Sequence, residues 1–203
     1  MKKIIFINGS PKRNGSTDEL LTLLVSYLNQ EILDCQIINL SDCNINYCTG
    51  CTTCYETTEC CQKDDVQKIV YAIDKADIIV TISPSYWADI TGQLKVFIDR
   101  MTPYCDTHEP HATLSKGKKG FAVALRTGNN PSEYIHTVES INHFYGHLKI
   151  DFEDNYNMFL CGINRGTDDV SRHKDKIKKF ADLINGVPDN SKFLIISFIG
   201  NSR

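Results

Sequence analysis

Short apolar runs alternate with amphipathic helical patterns along almost the whole chain of 203 residues. The apolar runs lie at residues 3–8, 35–40, 77–82 and 121–125, and a fifth is expected within residues 149–160. Between these runs, apolar side chains recur every three or four residues, which is the spacing of one helix face. Alternating apolar strands and helices predict an α/β fold, in which helices cover both faces of a parallel sheet.

Five strand–helix units fit a flavodoxin-like, doubly wound sheet with strand order 2-1-3-4-5, in which ligands bind beyond the carboxyl ends of strands 1 and 3. The loops after strands 1, 3 and 4 are therefore predicted to form the site. We predict one domain over residues 1–187, with a cysteine-rich insertion at 43–63. The tail at 188–203 is too apolar to be solvated, so it adds an edge strand, packs on its own domain or buries itself in a partner subunit.

The composition excludes several classes of protein. Hydrophobic residues make up 41% of the chain, charged residues 23%, and the formal net charge is −3. These values are typical of an ordinary globular domain and leave no basic surface for nucleic acid or an anionic membrane. No apolar segment reaches the roughly 20 residues needed to cross a bilayer, and residues 1–8 have the pattern of a core strand rather than a signal peptide. We therefore expect a cytoplasmic protein.

The loop after strand 1, residues 9–17, is rich in glycine, hydroxyl and amide groups and ends where the first helix begins. A helix N-terminus offers free N–H groups and a partial positive charge to an anion. The loop matches neither the nucleoside-triphosphate nor the dinucleotide glycine motif, so we predict the monophosphate of a small cofactor. The simpler alternative is a capped helix with a polar entry loop. The predicted phosphate-binding residues are Ser10, Lys12, Asn14, Gly15, Ser16 and Thr17.

The loops after strands 3 and 4 are predicted to frame a planar ring. The first carries the only tryptophan of the chain beside a tyrosine and behind a proline, and the second is small and polar. A single aromatic pair more often packs in a core or on a surface, so the prediction depends on three loops meeting at one edge. No side chain is assigned as a catalytic acid or base. The predicted ring-framing residues are Pro84, Ser85, Tyr86, Trp87, Thr127 and Gly128.

Four cysteines lie close together in the insertion: Cys48, Cys51 and Cys54 at two-residue gaps, and then Cys60. In a reducing compartment, clustered thiols more often bind metal or do redox work than form disulfides. Thiolates suit both iron–sulfur clusters and zinc, and unligated thiols are a third interpretation. Cys61 is an alternative to Cys60 as the fourth ligand.

The other cysteines and the histidines show no ligand pattern in the sequence. Cys35, Cys105 and Cys161 are isolated and are interpreted as small buried hydrophobic residues. His143 and His147 lie one helical turn apart, but two histidines without a third ligand are more often surface or packing residues.

The chain resembles the NADPH-dependent FMN reductase group of flavodoxin-like proteins, and most closely its iron–sulfur flavoprotein branch. The resemblance is carried by residues 9–17, 83–87 and 92–100, together with the cysteine cluster and the acidic pair at 64–65. It spans about residues 3–187. It implies FMN bound without a covalent link, homo-oligomers (dimers or tetramers) with the flavin near subunit interfaces, and redox chemistry linked to NAD(P)H or ferredoxin.

The resemblance also implies a [4Fe–4S] centre on the four clustered cysteines. The resemblance favours Cys60 over Cys61 as the fourth ligand, because the sequence spacing between Cys60 and residues 64–65 fits the family pattern. Acidic residues at the start of a helix also favour the helix dipole, which explains residues 64–65 without a metal. We predict an FMN-dependent oxidoreductase that passes electrons through FMN and the cluster to a quinone, another flavin or a small electrophile. The alternatives are an electron carrier without its own substrate and, in a third class, a zinc-binding module without flavin.

Overall fold

Five parallel strands form one sheet with the order β2-β1-β3-β4-β5. The structure, a computed structural model, describes residues 1–130, 132–163 and 170–187. The sheet order and the helices on both faces confirm the predicted flavodoxin-like α/β fold. The strands are β1 (Lys2–Asn8), β2 (Leu33–Asn39), β3 (Ile78–Pro84), β4 (Lys119–Leu125) and β5 (Asn157–Leu160).

Six α-helices are present in the described part of the chain. Short 3₁₀ turns at Leu40–Asp42, Thr102–Tyr104, Asp154–Tyr156 and Val170–His173 join some of the elements. The predicted insertion at 43–63 is mostly without regular structure but contains one short helix. The α-helices are α1 (Ser16–Ser26), α2 (Cys54–Thr57), α3 (Val66–Lys75), α4 (Gly92–Arg100), α5 (Ser132–His147) and α6 (Lys174–Ile184).

Two apolar cores lie on opposite faces of the sheet, because successive side chains of a strand point to opposite sides. Phe6 packs in the core that α1 and α6 cover, and its neighbour Ile5 packs in the core that α3, α4 and α5 cover. Both side chains are almost completely buried, and burying such a side chain stabilises the fold by about 1.5–3 kcal/mol. The two-sided burial holds the sheet rigid, so the loops at its carboxyl edge start from fixed positions.

A close approach between β4 and α5 requires a glycine. A Cβ atom on Gly120 would lie 2.6 Å from the ring of Tyr145. That ring is completely buried, and its hydroxyl accepts a hydrogen bond of 3.1 Å from the Thr81 amide. Burial raises the pKa of Tyr145 well above its usual range. The tyrosine therefore stays neutral and joins α5 to the middle of the sheet.

Two predictions on chain organisation stay predictions. The domain boundaries at 1–187 are not tested by the fold alone, and the tail at 188–203 lies outside the described residues. Across the part of the chain that the structure covers, no helix combines the length and the apolar character that crossing a membrane requires.

Candidate flavin and iron–sulfur sites

The loops after β1, β3 and β4 meet at one cavity at the carboxyl edge of the sheet. The cavity has a volume of about 140 Å³. Nine of the twelve residues predicted to bind the cofactor line it, which places hydroxyl groups and a lysine beside an aromatic ring. The nine residues are Ser10, Lys12, Gly15, Ser16, Thr17, Pro84, Ser85, Tyr86 and Thr127.

The first loop is built so that polar groups face this cavity. Ser10 is buried, its amide donates to Asn8 Oδ1 at 2.9 Å, and its hydroxyl accepts from the Lys12 amide at 3.2 Å. Gly15 occupies the N-cap of α1 and has no side chain to bond to the first turn. The N–H groups of that turn have no partner within the helix, so they are suited to bind an anion.

Thr91 fastens the first loop to the start of α4. Its hydroxyl donates to the Gly9 carbonyl at 2.5 Å and accepts from the Leu94 amide at 3.3 Å, which caps the helix. Its own amide donates to Ser83 Oγ at 3.1 Å. Thr91 is completely buried. The loops after β1 and β3 are therefore held to one another as a single polar frame.

Three predicted residues lie outside the cavity lining. Asn14 has a φ of 54° and donates its amide to Asp18 Oδ2 at 2.5 Å, so it shapes the turn before α1. Gly128 packs under Arg126, whose Nε would lie 2.9 Å from a Cβ at that position. The Trp87 side chain is fully exposed. The roles of these three residues in binding a ring or phosphate stay predictions.

Trp87 stands at the tip of a strained turn. Tyr86 and Asp89 exchange backbone hydrogen bonds of 2.9 and 3.1 Å, and the two residues between them, Trp87 and Ala88, have φ values of 52° and 63°. Two positive φ values are typical of a tight type I′ turn, which favours glycine and asparagine. Left-handed conformations of other residues cost of order 1–3 kcal/mol and cluster at functional loops. The surrounding loop therefore holds an aromatic side chain outward at the edge of the candidate site.

Arg126 is a cavity residue that the sequence prediction omitted. Its side chain is largely buried and forms an ion pair with Glu133 at the start of α5. Its Nε atom is buried and has no hydrogen-bond partner among the described residues. An unsatisfied buried donor is rare in folded proteins and calls for a partner. A cationic residue directly after an apolar strand, at the carboxyl edge of the sheet, was the signal available in the sequence.

The four predicted cluster cysteines, Cys48, Cys51, Cys54 and Cys60, line a second cavity with Cys61. The Sγ atoms of Cys51 and Cys61 lie 3.5 Å apart. The backbone reverses sharply within the segment, with positive φ values at Gly50, Thr52 and Thr58. The structure therefore brings together the thiols that the spacing singled out.

The thiols influence one another electrostatically. Hydrogen bonds from the hydroxyl and amide of Thr53, and then from Cys61, lower the pKa of the Cys51 thiol to about 7. Burial raises the pKa of Cys54, and the neighbouring thiols Cys60, Cys48 and Cys51 raise it further. A thiolate is the form that binds metals. Cys51 is therefore suited to be a ligand at neutral pH, and a cation in the segment would remove the repulsion felt by Cys54.

A buried ion pair anchors the cysteine segment to α4. Arg100 donates to the Asp64 carboxylate through Nη1 at 2.5 Å and Nη2 at 3.3 Å, and the two side chains are 0% and 1% exposed. Arg100 Nη1 also donates to the Asn46 carbonyl at 2.9 Å. Asn46 and Asp64 stand on either side of the cysteines, so one arginine holds both ends of the segment. The sequence interpretation of Asp64 as a helix-dipole residue missed this contact.

Charge balance explains why the pair stays ionised. Burial raises the pKa of the Asp64 carboxyl, but hydrogen bonds from Arg100 and from the amides of Asn46 and Val66 lower it more strongly, so the pKa falls below its usual value. Arg100 also interacts with the Cys60 thiol. Its Nε atom is buried without a hydrogen-bond partner in the described part of the chain. A buried donor without a partner, on an arginine that also acts on Cys60, suits an anionic group held by that thiol.

Comparison with known proteins shows the family of the chain. The family model for NADPH-dependent FMN reductase matches residues 2–152. An iron–sulfur flavoprotein of Archaeoglobus fulgidus is 33% identical over 133 residues, which are 66% of this chain and 58% of that protein. An iron–sulfur flavoprotein of Methanocaldococcus jannaschii is 32% identical over 143 residues, which are 70% of this chain and 71% of that protein. The match therefore spans little more than half of the Archaeoglobus protein.

A solved structure shares the fold at low sequence identity. The NAD(P)H:quinone oxidoreductase from Methanothermobacter marburgensis has a TM-score of 0.67 and 15% identity to this chain. The superposition covers 90% of this chain and 97% of that one. On the family match and the sequence relatives, the chain belongs to the NADPH-dependent FMN reductase family, in the branch whose curated members are named iron–sulfur flavoproteins.

Proposed function

We propose that the protein is an FMN-dependent oxidoreductase, linked to NAD(P)H or ferredoxin, that reduces a quinone, another flavin or a small electrophile. A [4Fe–4S] centre on Cys48, Cys51, Cys54 and Cys60 is part of the proposal. The observation that carries it is the meeting of nine predicted cofactor residues at one cavity on the carboxyl edge of the sheet. Bound FMN supplies hydride and single-electron transfer, and the protein supplies orientation and electrostatics.

The residues of the first loop fit the phosphate end of FMN. Ser16 and Thr17 offer hydroxyl donors, Lys12 offers a positive charge, and the first turn of α1 offers amide N–H groups. The Ser10 hydroxyl donates to the Lys12 carbonyl at 3.2 Å and so shapes the loop around these groups. A helix N-terminus attracts anions through these groups and through its dipole. The role of these residues is to bind and orient the phosphate.

The loops after β3 and β4 fit the ring end. Pro84 and Tyr86 add apolar surface beside Thr127, and the buried Nε–H of Arg126, which has no partner among the described residues, offers a donor in the same lining. A planar ring with polar edges needs this combination of apolar surface and a few fixed donors. These residues orient the ring and exclude water from one side of it.

Substituting one exposed lysine tests the flavin site. Lys12→Ala is expected to weaken FMN binding about tenfold or more, because a hydrogen bond to a charged group contributes about 1.5–3 kcal/mol. Titration of apoprotein with FMN, followed by quenching of flavin fluorescence, measures the dissociation constant. Arg13→Ala is the matched control, since Arg13 lies in the same loop but outside the cavity and pairs with Asp42 at 3.2 Å. Equal affinity in the two variants would contradict the assignment of Lys12.

Two cysteine variants test the cluster. Cys51→Ser is expected to abolish iron binding and to leave FMN bound, because no described residue lines both cavities. Cys61→Ser is expected to keep iron, because the proposed ligand set takes Cys60 rather than Cys61 as its fourth member. Iron and sulfide are measured after anaerobic purification. Retention of iron in Cys51→Ser, or its loss in Cys61→Ser, would refute the ligand set.

Steady-state assays separate an enzyme from an electron carrier. The proposal predicts oxidation of NAD(P)H, or of reduced ferredoxin, at a rate that depends on an added quinone, flavin or small electrophile. Reduction of the bound flavin by ferredoxin without turnover of any acceptor would instead indicate a carrier.

A further inference from the structure

A second group of metal-binding side chains lies away from the cysteine segment, where the end of α5 meets the loop after α4. One ligand atom each of Cys105, Asp106 and His147 lies within 4.8 Å of the other two. All three side chains are partly buried. We propose that Cys105, Asp106 and His147 form a zinc site and that His143 is a positioning residue for the His147 ring.

The two nitrogens of His147 face different partners. Nδ1 lies 2.6 Å from Asp106 Oδ1, and Nε2 lies 3.0 Å from Nε2 of His143. A histidine that binds a metal through one nitrogen normally donates its other N–H to a neighbouring acceptor, which fixes the tautomer and the ring orientation. His143 provides that acceptor, because the two histidines lie one turn apart on α5.

The donor set selects the kind of metal. A thiolate and an imidazole with one carboxylate suit zinc and similar transition metals, whereas magnesium and calcium prefer oxygen ligands. Zinc bonds of 2.0–2.3 Å place tetrahedral ligands roughly 3.3–3.8 Å apart. Small side-chain rotations therefore have to close the separations of up to 4.8 Å and to open the 2.6 Å hydrogen bond between His147 Nδ1 and Asp106 Oδ1. The second carboxylate oxygen of Asp106 stays paired with Lys149.

A cavity gives access to the group. It has a volume of about 320 Å³, and Cys105, His143 and His147 line it. Three protein ligands leave one tetrahedral position open, as in zinc sites that bind a water or a substrate. Asp89 and Ile90, which follow the strained turn after β3, line the same cavity. Water or a small donor molecule from this cavity, which reaches the loop after β3, would fill the open position.

Cobalt titration tests the site, since Co²⁺ replaces Zn²⁺ and shows thiolate charge-transfer and ligand-field absorption. The probe is Co²⁺ added to protein with FMN and the iron–sulfur centre reconstituted, and to the Cys51→Ser variant. We expect one tight Co²⁺ per chain in both, because the site shares no ligand with the cysteine segment. Cys105→Ser should lose the charge-transfer band, and His147→Ala should lose Co²⁺ binding. A band that Cys51→Ser removes and Cys105→Ser keeps would overturn the proposal.

Matched variants on α5 separate a positioning role from a general loss of structure. His143→Ala is expected to weaken Zn²⁺ binding roughly 10–100-fold, the usual effect of a partner that orients a ligand, and His143→Gln should restore part of it. His136→Ala is the control, because His136 is exposed on the same helix and pairs with Glu139 on that helix. Circular dichroism checks that each variant is folded. Equal Zn²⁺ affinity in wild type, His147→Ala and His136→Ala would refute the site.

Discussion

The Arg100–Asp64 pair gives the sharpest test of how the cysteine segment is held. Asp64→Asn keeps the shape of the side chain but removes its charge, while Arg100 stays 0% exposed. The asparagine NH₂ group must also face donors, because the carboxylate accepts from both Arg100 Nη atoms and from the amides of Asn46 and Val66. Breaking a buried pair in this way costs about 3–5 kcal/mol.

Urea unfolding of the apoprotein at pH 7 measures this loss. With an m value of about 2 kcal/mol per molar, the unfolding midpoint should fall by roughly 1.5–2.5 M. Free energies of unfolding of about 5–15 kcal/mol are usual for domains, so the variant should still fold but with a small remaining free energy of unfolding. The expected change is therefore large enough to separate a buried pair from an exposed one.

Asp99→Asn is the matched control on the same helix. Asp99 forms an ion pair with Lys95 one turn away, and the two side chains are 44% and 58% exposed. Exposed pairs of this kind contribute about 0.3–0.5 kcal/mol. If Asp64→Asn changed the free energy of unfolding by no more than Asp99→Asn does, the pair would not be desolvated and the anchoring argument would be wrong.

Three further outcomes are expected from the same geometry. Folding lowers the pKa of Asp64, so the ionised carboxylate stabilises the folded state above the unfolded pKa of about 3.9, and this stabilisation is lost as the pH falls through the folded pKa. In urea titrations, the difference in free energy of unfolding between wild type and Asp64→Asn should therefore shrink below about pH 4. Gly120→Ala should destabilise by about 1–3 kcal/mol through overpacking against Tyr145. Gly92→Ala, whose added Cβ meets no described atom within 4 Å beyond its chain neighbours and its own helix backbone, should leave the urea midpoint equal or slightly higher. Tyr145→Phe should lower stability by about 1–3 kcal/mol in thermal unfolding, because it leaves the Thr81 amide without its acceptor.

Much of the fold could be predicted because local patterns specify it. The apolar runs that form β1, β3 and β4 are buried on both faces of the sheet. Each run can therefore be identified as a strand from its own residues alone. Parallel strands with helical crossovers then allow few orders, and the carboxyl edge follows from the order. The meeting of the polar loops at 9–17 and 83–87 could be predicted for the same reason, since the topology alone brings the carboxyl ends of β1 and β3 together.

Contacts between distant residues could not be predicted in this way. Asp64 and Arg100 are 36 residues apart, and only the packing of α4 against the insertion shows that they share a buried site. Neither Cys105 nor His143 shows a ligand pattern in the sequence. The proposed zinc site forms only where Cys105 and Asp106 meet His143 and His147 from a distant part of the chain. The outward position of Trp87 likewise depends on the left-handed turn, which its residues do not favour.

Cofactor analysis of anaerobically purified protein tests the central claim most directly. The account predicts a yellow-brown protein that carries about one FMN, four iron and four sulfide per chain. Cys51→Ser should lose the iron and sulfide while its FMN content stays at the wild-type level. A protein that is expressed and purified with FMN present, yet stays colourless and binds none, would contradict the account.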